Sequence, residues 1–520
     1  MALEQADSLK KIVAHAKEYG FVFPSSEIYE NGLAAVYDYG PYGVLLKNNI
    51  KEFWWKAMTQ MNANIVGIDA AIFMHPKTWK ASGHVDAFND PMLDNKDSKK
   101  RYRADQLIEG EIEKTENKIV KEVEKARKRF GDSFDEKMFR DTNPRCVEYR
   151  DKAADIEKRL GEAMKANDMI ALKNMIDELE IVDPESGTRN WTEVRQFNLM
   201  FNTQLSNIAG EEGKLYLRPE TAQGIFVNFL NVQKSTRQKI PFGIAQIGKA
   251  FRNEIVARQF IFRMKEFEQM EMQFFIRPGT QKEWYAQWKA NRMRWHLALG
   301  TDQSKLKFKD HDNLAHYADA AVDIQFEFPM GFRELEGIHS RTDFDLSAHQ
   351  ALSGKKMQYF DPELNESYVP FVVETSVGCD RMFLSVLTNC LIEEMVPDAQ
   401  GEEATRTVLK IHPAIAPIKC AVLPLLKNKE ELTEAAEKIY NKLKLAFPCQ
   451  YDEKDAIGRR YRRQDAIGTP FCVTVDFETL ENNTVTLRDR DTLKQERIAI
   501  DAIEARVVEL CDMKLLLEKL

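Results

Sequence analysis

The chain lacks several features that would place it in a special class of protein. Its seven cysteines include no Cys-x-x-Cys pair, which predicts reduced thiols and gives no support for a structural zinc site. No run approaches the roughly 18 apolar residues of a membrane span, and the first 21 residues lack the apolar core of a signal peptide. No membrane association is therefore expected, and the cytoplasm is the expected compartment.

The chain also lacks an excess of basic residues. Its 74 Lys and Arg against 82 Asp and Glu give a net charge of −8, which argues against non-specific binding of nucleic acid. Local basic patches on an acidic protein can still recognise a particular RNA. With 520 residues, 43% of them hydrophobic and 30% charged, the composition predicts two or three globular domains with a sizeable core.

Two apolar-alternating runs carry polar residues on one side. Residues 244–254 and 262–275 predict an antiparallel strand pair around a short polar connector. The two-residue period of a strand puts Gln246, Arg252 and Glu254 on one face of the first strand. It puts Phe267, Gln269, Glu271 and Gln273 on one face of the second, with Met270, Met272 and Phe274 opposite as core. A buried charge needs a partner or a ligand, so this face is expected to bind charged groups; an exposed polar face is the alternative.

The same stretch is similar to motif 2 of the class II aminoacyl-tRNA synthetases. The resemblance rests on Phe251-Arg252-Asn253-Glu254, the loop that follows, and Arg263-Met264-Lys265-Glu266-Phe267. Residues 267–271, Phe-Glu-Gln-Met-Glu, are similar to the glycyl form of the motif. Residues 371–387, FVVETSVGCDRMFLSVL, resemble motif 3, with Thr375 where the family often has proline.

The resemblance implies an α+β fold with two domains. A class II antiparallel-sheet catalytic domain is expected over 1–409, with a helical insertion at about 106–185, and an α/β anticodon-binding domain over 410–520. The insertion is expected to be either a solvated helical hairpin or a contact surface for tRNA. Residues 402–409 are expected to lie in a linker. Residues 44–61 resemble motif 1, which implies a homodimer; an intramolecular core helix is the alternative.

The implied reaction joins glycine to ATP as glycyl-adenylate and then passes glycine to the 3′ end of tRNA(Gly). Attack of a carboxylate on a phosphate brings two negative groups together, so positioning and charge neutralisation should dominate. Arg252 and Arg381 are the expected catalytic residues. By resemblance Arg252 holds the α-phosphate and the glycine carboxylate, Arg263 holds the γ-phosphate, and Phe267 and Arg381 sandwich adenine.

The resemblance assigns two sets of binding residues. The ATP set is Arg252, Asn253, Glu254, Phe262, Arg263, Phe267, Glu334, Leu335, Gly378, Cys379, Asp380 and Arg381. The glycine set is Arg103, Glu220, Phe267, Glu268, Gln269, Met270, Glu271, Glu374, Thr375, Ser376, Val377 and Gly378. Magnesium is expected with ATP, with Glu334 and Glu374 as possible ligands; no zinc is predicted.

Glycine selection is expected to work by exclusion. Glu220 and Glu271 with Ser376 can hold the ammonium group and leave no room for a methyl group. Such steric rejection can exceed the ~1–3 kcal/mol available when an oversized pocket must reject a smaller substrate. A bidentate guanidinium suits the glycine carboxylate, a role the resemblance gives to Arg103. No editing domain is expected.

The C-terminal region contains a cluster of arginines. Arg459, Arg460, Arg462 and Arg463, followed by Gly468-Thr469-Pro470-Phe471, resemble the anticodon-binding domain of the glycyl, threonyl, prolyl and histidyl enzymes. The resemblance implies contact with tRNA, whereas solvated helical charge is the alternative. His75 and His84 are expected to be hydrogen-bonded loop residues, and His311 and His316 surface or capping residues.

Two other functions stay open on the sequence alone. One is a class II enzyme for another small amino acid. The other is a catalytically inactive relative that binds nucleic acid as an accessory subunit, against which the intact Arg252, Glu254, Arg263 and Arg381 argue.

Overall fold

The computed structural model describes residues 2–131, 134–204, 214–254, 259–311, 314, 318–397 and 403–520. The connector residues 255–258 and His316 lie outside the described residues. The chain divides into two compact units. The first consists of Met1–Ser82, Phe201–Arg252 and Ala257–Leu520, and the second of Gly83–Met200 with Asn253–Val256.

The helices of the described chain are α1 Ala2–Glu18, α2 Pro41–Thr59, α3 Pro76–Ala81, α4 His84–Ala87, α5 Ala104–Phe130, α6 Glu136–Thr142, α7 Pro144–Ala166, α8 Met169–Glu178, α9 Ala222–Val227, α10 Phe229–Thr236, α11 Gln281–Ala298, α12 Phe344–Ser353, α13 Cys379–Cys390, α14 Glu430–Leu443, α15 Ile457–Ile467, α16 Phe477–Asn482, α17 Ile503–Cys511 and α18 Lys514–Leu517. Across these described ranges, no helix combines the length and apolarity needed to cross a bilayer.

The strands are β1 Val22–Pro24, β2 Tyr37–Tyr39, β3 Ile65–Gly67, β4 Asn89–Asp94, β5 Arg101–Arg103, β6 Arg195–Asn198, β7 Asn202–Gln204, β8 Lys214–Tyr216, β9 Phe242–Phe251, β10 Glu266–Ile276, β11 Leu306–Asp310, β12 Ala320–Phe328, β13 Gly331–Thr342, β14 Tyr359–Asp361, β15 Glu366–Tyr368, β16 Phe371–Gly378, β17 Leu391–Pro397, β18 Glu403–Leu409, β19 Cys420–Pro424, β20 Cys449–Tyr451, β21 Phe471–Val475, β22 Thr484–Asp489 and β23 Gln495–Ala499.

A seven-stranded sheet, ordered β11-β12-β13-β16-β10-β9-β3, lies at the centre of the first unit. Neighbouring strands within this sheet pair antiparallel, except β3 and β9, which pair parallel. The predicted antiparallel strand pair is confirmed as β9 and β10, but the two strands stop short of the predicted ends beside the connector and extend slightly beyond the predicted outer ends. Because β9 ends at Phe251 and β10 begins at Glu266, Arg252 and Arg263 lie in the connection between them.

The two faces of this sheet differ in chemistry. One packs into an apolar core, where Met270, Met272 and Phe274 of β10 meet Trp288 and Trp295 of α11. Burying each such side chain contributes roughly 1.5–3 kcal/mol of transfer free energy. Helix α2 joins the same core through apolar residues of its buried side, Leu46, Ile50, Phe53, Trp54 and Met58. The other face of the sheet is therefore the one available to a ligand.

The second unit combines helices with a small antiparallel sheet, ordered β5-β4-β6. Its core is built from Ile108, Ile156, Leu160, Leu172 and Ile176, which come from α5, α7 and α8. Side chains cap two of the helices: Asn143 accepts from the first amides of α7, and Asp168 from those of α8. The expected helical segment is present, and strands flank it on both sides in the sequence.

The C-terminal part has a mixed five-stranded sheet, ordered β20-β19-β21-β22-β23. Strand β19 pairs parallel with β20 and β21, whereas the pairs β21–β22 and β22–β23 are antiparallel. Helices α14 and α17 pack on it through Leu432, Ile439 and Ile503. The predicted linker is wrong for residues 403–409, because they form β18 and pair with β17.

One buried histidine joins α1 to the C-terminal part. The Nε2 of His15 lies 2.9 Å from the carbonyl oxygen of Ala466, and the residue is 6% exposed. Burial lowers the pKa of His15 to about 4, although the bond to Ala466 acts in the opposite direction. The neutral imidazole is therefore the form that donates to the carbonyl.

This histidine should make the fold sensitive to acid. The unfolded chain takes up a proton on His15 near pH 6.5, whereas the folded chain does so only near pH 4. As the pH is lowered from 6.5 to 4, the free energy of unfolding should therefore fall by about 1.4 kcal/mol per pH unit from this group alone. Urea unfolding at several pH values measures the slope.

A matched pair of variants isolates that contribution. His15→Gln should show a shallower loss of stability below pH 6.5 than the wild type, whereas Gln287→Asn, an exposed substitution that changes no titratable group, should leave the slope unchanged. Equal slopes for wild type and His15→Gln would contradict the assignment.

Candidate active site

The polar face of the large sheet gathers two buried carboxylates. Glu271 of β10 and Glu374 of β16 are 2% and 4% exposed. The register places Glu271 opposite Ser376, and Gln273 opposite Glu374. Since alternate residues of a strand share a face, these four side chains point to the same side of the sheet.

An amide and two cationic groups surround the carboxylates unevenly. The Nε2 of Gln273 donates to Oε1 of Glu271 at 3.1 Å and to Oε2 of Glu374 at 2.6 Å. Glu374 also accepts from Nη1 of Arg341 at 3.0 Å and pairs with Nδ1 of His339 at 2.8 Å. Glu271 instead accepts a hydrogen bond from the hydroxyl of Thr221. Both cationic partners are therefore on Glu374.

This asymmetry separates the pKa values of the two acids. Burial raises the pKa of Glu271 well above its usual value, and the negative charges of Glu374 and Glu220 raise it further. Burial acts in the same direction on Glu374, but Arg341 and His339 outweigh it and hold the pKa of Glu374 far below its usual range. Of the two acids, Glu374 is therefore the one that ionises more readily, and Glu271 the one that holds a proton more readily.

A second layer of hydrogen bonds links Glu220 to this pair. Arg341 donates two hydrogen bonds to Asp345, at 2.8 and 3.0 Å. Gln223 donates from Nε2 to Asp345 at 2.9 Å and to Oε1 of Glu220 at 3.1 Å. The structure therefore brings together four predicted glycine-site residues, namely Glu220, Glu271, Glu374 and Ser376.

Two arginines lie near a third carboxylate. Arg252 follows β9, donates from Nε to the carbonyl of Pro219 at 3.0 Å, and lies 5.2 Å from the centre of the Phe267 ring. The Nη1 of Arg381 lies 3.1 Å from Oε2 of Glu334. The charge of Arg381, and more weakly that of Arg252, lowers the pKa of Glu334.

A buried aspartate fixes the start of α13 and with it Arg381. Asp380 accepts from Nζ of Lys47 at 2.7 Å, from the backbone amide of Glu268 at 2.7 Å, and from the hydroxyl of Tyr39. The guanidinium carbon of Arg381 then lies 4.4 Å from the centre of the Phe262 ring. The predicted ATP residues Phe262, Asp380 and Arg381 are thus held at one strand–helix junction.

Several predicted residues point away from the polar face. Glu268 forms ion pairs with Lys47 and Lys51, each at 3.2 Å. Met270 and Val377 are buried in the apolar core with Leu335 and Cys379, and Thr375 lies opposite Met272 in the register. Only the backbone of these residues can face a ligand on the polar side, so their assignment stays a prediction.

Other predicted residues belong to the second unit or to the connection. Arg103 forms ion pairs with Asp90 at 3.0 Å and with Asp105 at 2.5 Å, all within the second unit. Asn253 and Glu254 belong to that unit too. Arg263 lies just before β10 in an extended conformation, and its role stays a prediction.

Several residues of the network were not predicted from the sequence, namely Thr221, Gln223, His339, Arg341 and Asp345. One signal was present. His339 and Arg341 alternate along β13 in the way that Glu374 and Ser376 alternate along β16, so strand period marks a second polar row. His311, expected as a surface or capping residue, forms an ion pair with Asp323 at 2.8 Å and is partly exposed.

The four C-terminal arginines have different surroundings. Arg460 is buried and donates to the carbonyls of Pro424 and Leu425. Arg463 forms ion pairs with two aspartates, Asp452 at 2.7 Å and Asp455 at 2.8 Å. Arg459 is exposed and Arg462 half-buried. A role in tRNA binding stays a prediction for all four.

Three family models match the chain in consecutive segments. Residues 90–199 match the glycyl-tRNA synthetase insertion domain 1. Residues 204–390 match the class II tRNA synthetase core domain of the G, H, P, S and T group, and residues 419–510 match an anticodon binding domain. The core match covers the strands that hold Glu271 and Glu374.

Curated relatives resemble the chain over nearly its whole length. A glycine–tRNA ligase from Chlorobaculum tepidum is 54% identical over 491 residues, which is 94% of this chain and 97% of the relative. Those from Macrococcus caseolyticus and Geobacillus thermodenitrificans are 49% and 46% identical, each over 96% of this chain and 97% of the relative. The chain therefore belongs to the glycine–tRNA ligase family, within the class II aminoacyl-tRNA synthetases.

Proposed function

We propose that this chain activates glycine with ATP and transfers the glycyl group to tRNA(Gly). A glycine carboxylate oxygen attacks the α-phosphorus of ATP, pyrophosphate leaves, and the terminal ribose hydroxyl of tRNA then attacks the glycyl carbonyl and releases AMP. The observation that carries the proposal is the pair of buried carboxylates, Glu271 and Glu374, on a sheet face that two arginines border.

The arginines supply the charge that the first step requires. Attack of one anion on another is slow unless positive groups neutralise the developing charge at the α-phosphate. Arg252 is held by the Pro219 carbonyl and the Phe267 ring, and it is proposed to hold the α-phosphate and the glycine carboxylate. Arg381 and Phe267 are proposed to enclose adenine, and Arg263 to hold the γ-phosphate.

The carboxylates are proposed to bind the glycine ammonium group. Arg341 and His339 favour the charged form of Glu374, whereas burial and the neighbouring acids raise the pKa of Glu271, so Glu271 is proposed to carry a proton before glycine binds. An ammonium group placed among Glu220, Glu271 and Glu374 would favour the ionised form of Glu271, which then releases its proton to solvent. Closely packed acids around the α-carbon also leave no space for a side chain.

Magnesium is proposed to enter with ATP, and Glu334 fits it better than Glu374 does. The side chain of Glu334 is 52% exposed and, among the residues that the structure describes, makes one ion pair, with Arg381. Both oxygens of Glu374 are engaged by His339, Arg341 and Gln273. Mg²⁺ prefers oxygen ligands that are free to join its octahedral shell, so Glu334 is the proposed protein ligand. The bound ion supplies charge neutralisation on the phosphates.

A homodimer and a cytoplasmic location complete the proposal. Ile28, Tyr29 and Leu33, in the segment before α2, are 87%, 71% and 61% exposed, and such clustered apolar exposure is typical of a protein interface. The free cysteines are consistent with a reducing compartment. Arg459 and Arg462 are proposed to contact tRNA phosphates, whereas the buried Arg460 would act by holding their helix in place.

The substrate is tested by amino-acid-dependent exchange of pyrophosphate into ATP. Glycine should drive the exchange, and serine, proline and threonine should not, because their side chains have no space beside Glu271. Exchange driven by one of these amino acids in place of glycine would contradict the proposal.

Replacement of Arg252 by alanine should abolish adenylate formation. Loss of one pre-positioned donor to a developing oxyanion lowers the rate by about 10²- to 10³-fold, and Arg252 is proposed to serve two anionic groups. Pyrophosphate exchange measures the loss, while filter binding should show nearly unchanged affinity for tRNA. Arg294→Ala, at an exposed position of α11, is the control. Near-normal exchange in Arg252→Ala would refute the role.

Replacement of Glu271 by glutamine tests the proposed ammonium site. Glutamine keeps the shape of the protonated acid but cannot become a carboxylate, so kcat/KM for glycine should fall by about 10- to 100-fold, the worth of one charged hydrogen bond. The KM for ATP should change little. Glu327→Gln, at an exposed position of β12, is the matched control, and an unchanged kcat/KM for glycine in Glu271→Gln would exclude the role.

A further inference from the structure

Three side chains with metal-binding atoms meet beside the candidate active site. They are His311, which follows β11, Asp323 of β12 and His339 of β13. One ligand atom from each lies within 4.8 Å of the other two. The Nε2 of His311 is 2.8 Å from Oδ1 of Asp323, and the two imidazole centres are 5.8 Å apart with their planes at 67°.

The strand register explains why residues so distant in the sequence meet. Asp323 lies opposite Gly337, and Ala321 lies opposite His339. The backbone amide of His311 donates to the carbonyl of Ala321 at 3.0 Å. The three side chains therefore come from adjacent strand positions, on the face that also carries Glu374.

A glycine keeps the space between these side chains open. A β-carbon at Gly337 would lie 3.1 Å from Cε1 and 3.4 Å from Nε2 of His339, and 3.9 Å from Oδ1 of Asp323. The Nε2 of His339 and the Asp323 carboxylate thus border the same small volume above Gly337. Any larger residue at this position would occupy part of that volume.

The second nitrogen of His339 is held in the way a metal ligand requires. Its Nδ1 lies 2.8 Å from Oε1 of Glu374, so Nδ1–H donates to the carboxylate, and Nε2 is the atom that would exchange its proton for a metal ion. In the described part of the chain, Nε2 makes no hydrogen bond. A metal-bound histidine commonly donates its other N–H to a carboxylate, which fixes the tautomer and the orientation of the ring.

We propose that His311, Asp323 and His339 bind one divalent transition-metal ion of the Zn²⁺ class, with Glu374 orienting His339. Two imidazoles and one carboxylate suit such an ion, whereas Mg²⁺ prefers oxygen ligands alone. Bonds of about 2.0–2.2 Å put tetrahedral ligand atoms roughly 3.3–3.6 Å apart. The His311–Asp323 separation is 2.8 Å and the other two are no more than 4.8 Å, so side-chain rotations of this size complete the site.

Exposure of the three ligands allows an ion to enter from solvent. The side chains of His311, Asp323 and His339 are 34%, 15% and 19% exposed. Three protein ligands leave a fourth position for water or for a group of a substrate.

The ion would hold His339 in place and through it Glu374, so the site positions a glycine-site residue. The site itself rests on geometry and does not depend on the proposed reaction.

Cobalt binding to the full chain tests the site, because Co²⁺ replaces Zn²⁺ at such ligands and absorbs visible light. After removal of metal with a chelator, titration of the wild type should give a visible band that saturates at one ion per chain. Zn²⁺ should abolish the band, and excess Mg²⁺ should not. Absence of a visible band in the wild type, or its displacement equally well by Mg²⁺, would overturn the proposal.

Variants assign the band to these residues. His311→Ala alters a partly exposed side chain and should remove the saturable band, as should His339→Gln, while urea unfolding confirms that each variant is folded. His75→Ala, at an exposed histidine outside the cluster, should keep it. Glu374→Gln should weaken Co²⁺ binding by about 10- to 100-fold, as loss of a carboxylate behind a histidine ligand does. A band that persists in His311→Ala and His339→Gln would overturn the proposal and point to thiol ligands.

Discussion

The site depends on how one sheet face accommodates two buried carboxylates. Glu271 and Glu374 lie on adjacent strands and share the amide of Gln273, and neither can be charged in a dry environment without compensation. Arg341 and His339 compensate Glu374, and protonation compensates Glu271. The site thus favours the charged form of Glu374, while Glu271 can ionise beside an incoming cation.

The need to compensate the buried charge of Glu374 explains the surrounding architecture. Strand β13 must lie beside β16 to bring His339 and Arg341 to Glu374, and α12 must follow β13 to bring Asp345 to Arg341. The opposite face of the sheet is closed by the apolar core, while Asp380 and Lys47 fix the strand–helix junction that carries Arg381. Glu271 and Glu374 therefore lie at the centre of the polar face, while Arg252 and Arg381 lie beside Glu334. This arrangement suits an amino acid beside the two acids and a nucleotide beside the two arginines.

The sequence predicted the parts of this site that depend on local pattern. Strand period and motif resemblance located β9, β10 and β16, and they placed Glu271 and Gln273 on one face. The pairing of distant strands and the packing of side chains could not be predicted from the sequence: His339 meets Glu374 because β13 pairs with β16, and Arg460 is buried among carbonyls. Arg341, Asp345 and Gln223 were missed because their partners are distant in the sequence. Residues 403–409 were predicted as a linker because most of them are polar, but Val408 and Leu409 are buried and the segment forms a strand.

Glu271 is proposed to hold a proton until the glycine ammonium group binds, and then to release it. Isothermal titration of glycine at neutral pH, in buffers with different enthalpies of ionisation, measures the number of protons released. The account predicts release of close to one proton per glycine by the wild type, and release by Glu271→Gln that is close to zero. A binding enthalpy for the wild type that is independent of the buffer would contradict it.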